Sequence, residues 1–165
     1  MTYIKNNKLQ NYVHNVDTNF TSQVITSTSK SNNTALDGTE VTYTPPDNAS
    51  KVVYEISFQW SWNPDAYANM LHFRLEYSTN NGSTWSDLLG TQPTLGTSQQ
   101  TNPAEYAWGS LTYRCILDTW SGERKIRANA PTWASSTQYT LGRSYNASDS
   151  TGVGSCPHVS IYSII

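Results

Sequence analysis

Charge is scarce in this sequence. Asp, Glu, Lys and Arg make up 13% of the 165 residues, where soluble domains usually carry roughly a quarter. Ten basic and twelve acidic residues leave a net charge of −2, so there is no basic field to hold phosphate backbones, and nucleic acid is excluded as a partner. Cysteine is nearly absent: Cys115 and Cys156 are too few for a disulfide framework, and a chain of this length needs none. A bond between these two stays open, as does a buried free thiol at Cys115. No apolar run approaches the roughly 18 residues of a membrane span, which excludes insertion by a helix, and the start MTYIKNNKLQ lacks the apolar stretch of a secretory signal. No window carries a convincing helical period.

Hydroxyls, amides and aromatic rings are present in their place. The chain has 21 Ser, 21 Thr and 15 Asn, residue types that suit strand faces and turns and compete with the backbone inside helices. Aromatic residues make up 12%, with 6 Trp and 11 Tyr, which supplies core material and argues against disorder. Periodicity of two runs almost throughout. Between Lys51 and Trp62 one face reads Val52, Tyr54, Ile56, Phe58, Trp60, Trp62 and the other Lys51, Val53, Glu55, Ser57, Gln59, Ser61. The alternation returns over Met70–Tyr77 and Ser110–Thr119, and more weakly over Tyr12–Val16, Gln23–Ser27, Glu40–Thr44, Arg124–Ala130, Gln138–Tyr145 and His158–Ile164. Turn formers separate these runs, among them Asp37-Gly38, Asn80-Asn81-Gly82 and Ser121-Gly122. The pattern predicts one all-β domain over residues 9–165, of about ten antiparallel strands, after a tether at 1–8. Leu89–Asn102 has no apolar period and reads as a surface loop.

Chemistry-bearing motifs are few. His14, His72 and His158 lie in strand candidates without partner motifs, and Cys156-Pro157-His158 offers only two of the roughly four ligands a zinc site wants. No catalytic residue, metal site or cofactor is assigned. Ser78–Trp85 resembles the Asp-box hairpin of sialidases and other β-propeller proteins, with Asn80 at the position of the Asp. A single copy reads as a hairpin turn in which Gly82 takes positive φ and Trp85 packs beneath. Arg124, Lys125 and Arg127 form the one local concentration of positive charge. It reads as a solvated or subunit-facing strand face, or as a contact for anionic sugars or lipopolysaccharide. Open tryptophans stack on sugar rings. Trp108, Trp120 and Trp133 flank loop candidates and are the ligand-binding candidates.

Strand order and aromatic placement resemble the tumour necrosis factor and complement globular-head superfamily. The residues concerned are Tyr43-Thr44-Pro45-Pro46 leading into Ser50–Trp60, then Leu71–Tyr77 with its Asn-Gly turn and Trp85. The strands Leu111–Leu117 and Arg124–Ala130 follow, and His158–Ile165 closes the chain. The resemblance covers about residues 10–165 and implies a jelly-roll β-sandwich whose protomers form trimers around apolar and aromatic side chains. Such domains also occur at the tips of phage and viral fibres, so it further implies a receptor-binding virion or extracellular part that recognises a host surface glycan or protein. No collagen-like stem precedes the domain, unlike the complement branch.

A trimer also accounts for strands that are apolar on both faces, such as Val53 beside Tyr54 and Ile116 beside Cys115. A sandwich alone buries one face of each sheet. The rival readings are a monomeric carbohydrate-binding module or lectin, and a small glycan-cleaving enzyme, which would need two opposed carboxylates.

Overall fold

The computed structural model describes residues 9–16, 23–26, 34–62, 71–72, 74–88, 94–95, 107–130, 138–141 and 157–165. The expected tether at 1–8 lies outside them. Thirteen strands are present among the described residues: β1 (Leu9–Val16), β2 (Gln23–Thr26), β3 (Thr34–Ala35), β4 (Val41–Tyr43), β5 (Lys51–Trp62), β6 (Leu71–His72), β7 (Arg74–Ser78), β8 (Ser86–Asp87), β9 (Thr94–Leu95), β10 (Ala107–Leu117), β11 (Arg124–Ala130), β12 (Gln138–Leu141) and β13 (His158–Ile164). Four of them are two-residue pairings, so the expectation of about ten counted the longer elements well.

All pairings are antiparallel. The longest strand, β5, is the axis of the first sheet. One of its edges pairs with β10 from Val52 to Trp62. Its other edge pairs first with β13, over Lys51–Ser57, and then with β12, over Trp60–Trp62. Outside these lie β1 on β13 and β2 on β12. The second sheet centres on β11, with β3 and β4 on one edge and β7, then β8, on the other. Strands from the beginning, middle and end of the chain are thus interleaved in the first sheet, and the second interleaves β3 and β4 with β7, β8 and β11, as in a jelly roll. The all-β jelly-roll sandwich expected from the sequence is the fold.

The core lies between the sheets and is built by alternate residues of each strand. β5 contributes Val52, Tyr54, Ile56 and Phe58, β10 contributes Tyr113, Cys115 and Leu117, and β13 contributes Val159 and Ile161. Val41, Tyr43, Leu75, Ile126 and Ala128 face them from the second sheet. Two tyrosine hydroxyls cross the core and are satisfied there, Tyr54 donating to the Thr39 carbonyl at 2.9 Å and Tyr43 sharing a hydrogen bond with Ser163 Oγ at 2.8 Å. Cys115 is a buried free thiol, and burial pushes its pKa up against a weaker opposing hydrogen bond from Tyr113.

Burial also raises the phenols of Tyr54, Tyr113 and Tyr43 above their ordinary value. A phenol whose folded pKa lies above its unfolded one, about 10, supports the fold fully below that pH and loses its contribution as pH rises further. We therefore expect stability to fall above about pH 10. The tyrosinate absorbance of the buried rings should appear in one step with loss of the fold. Smooth ionisation of all eleven tyrosines with the fold retained would contradict this.

Two expectations need correction. Met70–Tyr77 does not keep one partner: Leu71–His72 pairs with Thr94–Leu95, whereas Arg74–Ser78 belongs to the β11 sheet, and Met70 and Phe73 lie outside the described residues. Local alternation does not register such a change of hydrogen-bonding partner. For the same reason Leu89–Asn102 is not wholly irregular, because Leu95 finds Leu71 opposite it.

The Ser78–Trp85 turn forms as expected and satisfies itself. Ser78 Oγ accepts from the backbone N–H of Gly82 at 2.9 Å, and Asn80 Oδ1 accepts from that of Thr84 at 2.9 Å. Asn81 and Gly82 both take positive φ, 57° and 87°. A Cβ on Gly82 would meet the Trp85 ring at 3.5 Å and Lys125 Cδ at 3.9 Å, both ordinary contacts, so Gly82→Ala should cost about 1 kcal/mol through backbone strain alone. Urea unfolding of the variant checks this.

Candidate functional site

In an antiparallel pair, directly opposed residues share a face. The outward face of β1, β13, β5 and β10 can therefore be laid out in rows. One row is apolar: Ile116 lies opposite Val53, and Val53 opposite Tyr162. Ile116 is 63% exposed, the only large hydrophobic residue so exposed among the described residues. Val53 is covered by its neighbours to 2%, and Tyr162 is half-buried. The next row is charged, with Arg114 paired to Glu55 at 2.5 Å. Lys51 and Asp118 pair at 2.5 Å on the far side of the apolar row. Exposed pairs of this kind add little stability; here they frame the apolar strip.

A shallow cavity of about 240 Å³ opens beyond the charged row, lined by Ser57, Gln59, Ser110, Thr112 and His158 among others. It sits where β5 leaves β13, at Ser57 opposite His158, and joins β12, at Trp60 opposite Leu141. Ser57 Oγ and Thr112 Oγ1 hydrogen-bond across it at 2.8 Å. Its lining offers hydroxyls, an amide and an imidazole, with no carboxylate.

Of the three tryptophans singled out in the sequence, the structure describes the backbone of Trp108 and the whole of Trp120. Trp133 lies outside the described residues. The backbone of Trp108 pairs with Ser61 near the start of β10, and Trp120 follows the other end of that strand. Nine strand steps separate Trp108 from Leu117, about 30 Å at about 3.3 Å per residue. One protomer cannot present both to a single sugar ring.

Trp120 closes an end of the sandwich. It packs against the core cluster and meets Tyr43 edge-on, with ring centroids 6.1 Å apart. The Arg124 guanidinium lies 4.5 Å from the Tyr77 ring centre and 5.2 Å from that of Trp120, within cation–π range. Trp120 Nε1 and Arg124 Nε are both buried without a hydrogen-bond acceptor.

The basic cluster around Arg124 is not a free patch. Lys125 pairs with Glu40 at 2.7 Å. Arg127 donates from Nε and Nη2 to Glu76 at 3.0 Å and lies 3.8 Å over the Trp85 ring. Asn129 Nδ2 donates to the other Glu76 oxygen at 3.0 Å. Glu76 and Asn129 occupy the outward parity of the second sheet, yet they are only 8% and 1% exposed. Alternation alone carries no signal of that burial, because it is set by neighbouring strands.

No family model and no curated protein matches the chain. Among solved structures it is similar to a carbohydrate-binding module, TmCBM61 in complex with beta-1,4-galactotriose, at 12% identity, covering 91% of this chain and 88% of that one with a TM-score of 0.29. It is also similar to Eiger TNF from S. frugiperda, at 12% identity over 85% of this chain and 97% of that one, with a TM-score of 0.27. Likenesses this distant do not bear on function, and the jelly roll rests on the strand order itself.

Proposed function

We propose that this chain is a non-enzymatic jelly-roll binding module that assembles as a homotrimer through the outward face of β1, β13, β5 and β10. In this reading it is a phage or viral fibre-tip part, at the virion or in the extracellular space, and its loops recognise a host surface glycan or protein. The observation that carries the proposal is the strip Ile116–Val53–Tyr162, an apolar row on the outer face of a sheet whose inner face already supplies the core. Ile116 and part of Tyr162 meet water in a single copy, and a closed cyclic interface would remove them from it in every copy at once. The flanking Arg114–Glu55 and Lys51–Asp118 pairs suit the polar rim of an interface.

Light scattering behind size exclusion tests assembly. Three copies of the 18.4 kDa chain give about 55 kDa, and a mass of 18.4 kDa at micromolar concentration would overturn the trimer. The second reading, a monomeric carbohydrate-binding module, would then stand. The hydroxyl-rich cavity at Ser57, Thr112 and His158 favours it, since a concave site with a few convergent polar groups is where a small ligand sits. Glycan-array binding that is lost in Thr112→Val would support that reading.

A further inference from the structure

We infer that Arg124 and Trp120, at the end of the sandwich beside the β10–β11 connection, form a recognition site for a carboxylate carried by an acidic sugar. The inference rests on the glycan-binding branch of the proposal above and names its ligand class.

Charge is the first observation. Lys51, Arg74, Arg114, Lys125 and Arg127 each face a carboxylate within 4 Å. Arg124 alone among the described basic residues has no ion pair and is held only against the Tyr77 and Trp120 rings. Hydrogen bonding is the second, independent observation. Arg124 Nε–H and Trp120 Nε1–H are buried donors without acceptors, in one cluster whose guanidinium carbon is 5.2 Å from the indole centre. Buried polar groups in native proteins are satisfied, and those that are not point to a missing partner. The missing partner must accept hydrogen bonds and, beside an uncompensated guanidinium, must carry negative charge. A carboxylate meets both requirements, since it is an acceptor only and binds guanidinium with paired, charge-assisted bonds.

The surroundings select the carrier. Trp120, half-buried beside the guanidinium and braced edge-on from within by the buried Tyr43, offers the apolar ring surface suited to the C–H face of a sugar. Asp118 and Glu123, both exposed, belong to the same connection, and they disfavour a polyacidic peptide more than a ligand with a single charge. The site lies at the end of the sandwich and not on the sheet face proposed for assembly, so a trimer would keep it available.

The experiment is a titration of the whole protein, labelled with ¹⁵N, with glucuronic acid and N-acetylneuraminic acid, alongside glucose, inorganic phosphate and an acidic peptide. Its six tryptophans give separate indole N–H signals, and Trp120→Phe identifies that of Trp120 while keeping a ring in place. We expect the Trp120 indole and Arg124 Nε–H signals to move with an acidic sugar and to saturate, with no response to glucose. Arg124→Gln and Trp120→Phe should each weaken binding by about tenfold or more, the effect of losing a bond to a charged partner. Silence of both signals toward acidic sugars would overturn the inference. So would an equal response to phosphate or the acidic peptide, or unchanged affinity in both variants. Binding of a neutral glycan that ignores Arg124→Gln would sink this site and leave the proposed function standing.

Discussion

Changing Ile161 to Asp should abolish the folded state, whereas changing Ile116 to Asp should leave the fold intact and break the assembly. The two residues sit on opposite faces of one sheet. Ile161, opposite Tyr54 on β5, is fully buried in the core. A carboxylate there has no partner, and burying it costs several kcal/mol, a large part of the roughly 5–15 kcal/mol that holds a domain together. Ile116 is 63% exposed, so an Asp costs the isolated protomer little. In the proposed trimer the same side chain lies in the interface, where three carboxylates would be brought out of water together. Circular dichroism should therefore show an unfolded Ile161→Asp and a native-like Ile116→Asp, and light scattering should show the latter at one copy. Retention of three copies by Ile116→Asp would remove the apolar strip from the interface and with it the main support for the assembly.

Removing Glu76 should be the most costly single change outside the core. Its carboxylate is the shared acceptor of Arg127 and Asn129, on a face where it is only 8% exposed. Glu76→Ala strands the Arg127 guanidinium and frees Asn129 Nδ2 beside an Oδ1 that already has no partner. Breaking a buried pair from one side typically costs about 3–5 kcal/mol. Arg127 retains more solvent than a fully buried charge, with 24% of its side chain exposed, so about 3 kcal/mol is the expected value. For a chain of this size that is roughly 6–12 °C in Tm. Glu76→Gln, which keeps one acceptor, should lose less. A loss below about 1 kcal/mol for Glu76→Ala, measured by urea unfolding, would show that the group is solvated.

Much of the fold was legible because side-chain alternation is a local property. The run Lys51–Trp62 announced both the strand and its faces: Val52, Tyr54, Ile56 and Phe58 are buried in the core, and Val53 lies on the other face with Ile116 and Tyr162 opposite its two edges. Turns were legible for the same reason, since positive φ at Gly82 and Gly122 follows from residues adjacent in sequence. The candidate site was less legible. Trp120 and Arg124 were each notable alone, but nothing in their spacing says that the guanidinium turns onto the indole ring while Lys125 and Arg127 find carboxylates.

The sequence by itself determined the strands, their inner and outer faces and the turns that separate them, because period two and turn chemistry act over a few residues. Tertiary structure decided what those faces meet. It set β5 between β10 on one edge and β13 and β12 on the other, divided Met70–Tyr77 between two pairings, buried Glu76 and Asn129 on a nominally outer face, and left Ile116 uncovered. Hydrogen-bond partners and covering side chains come from residues remote in the chain. Pairing energies there depend on the whole arrangement, and a local pattern carries no record of it.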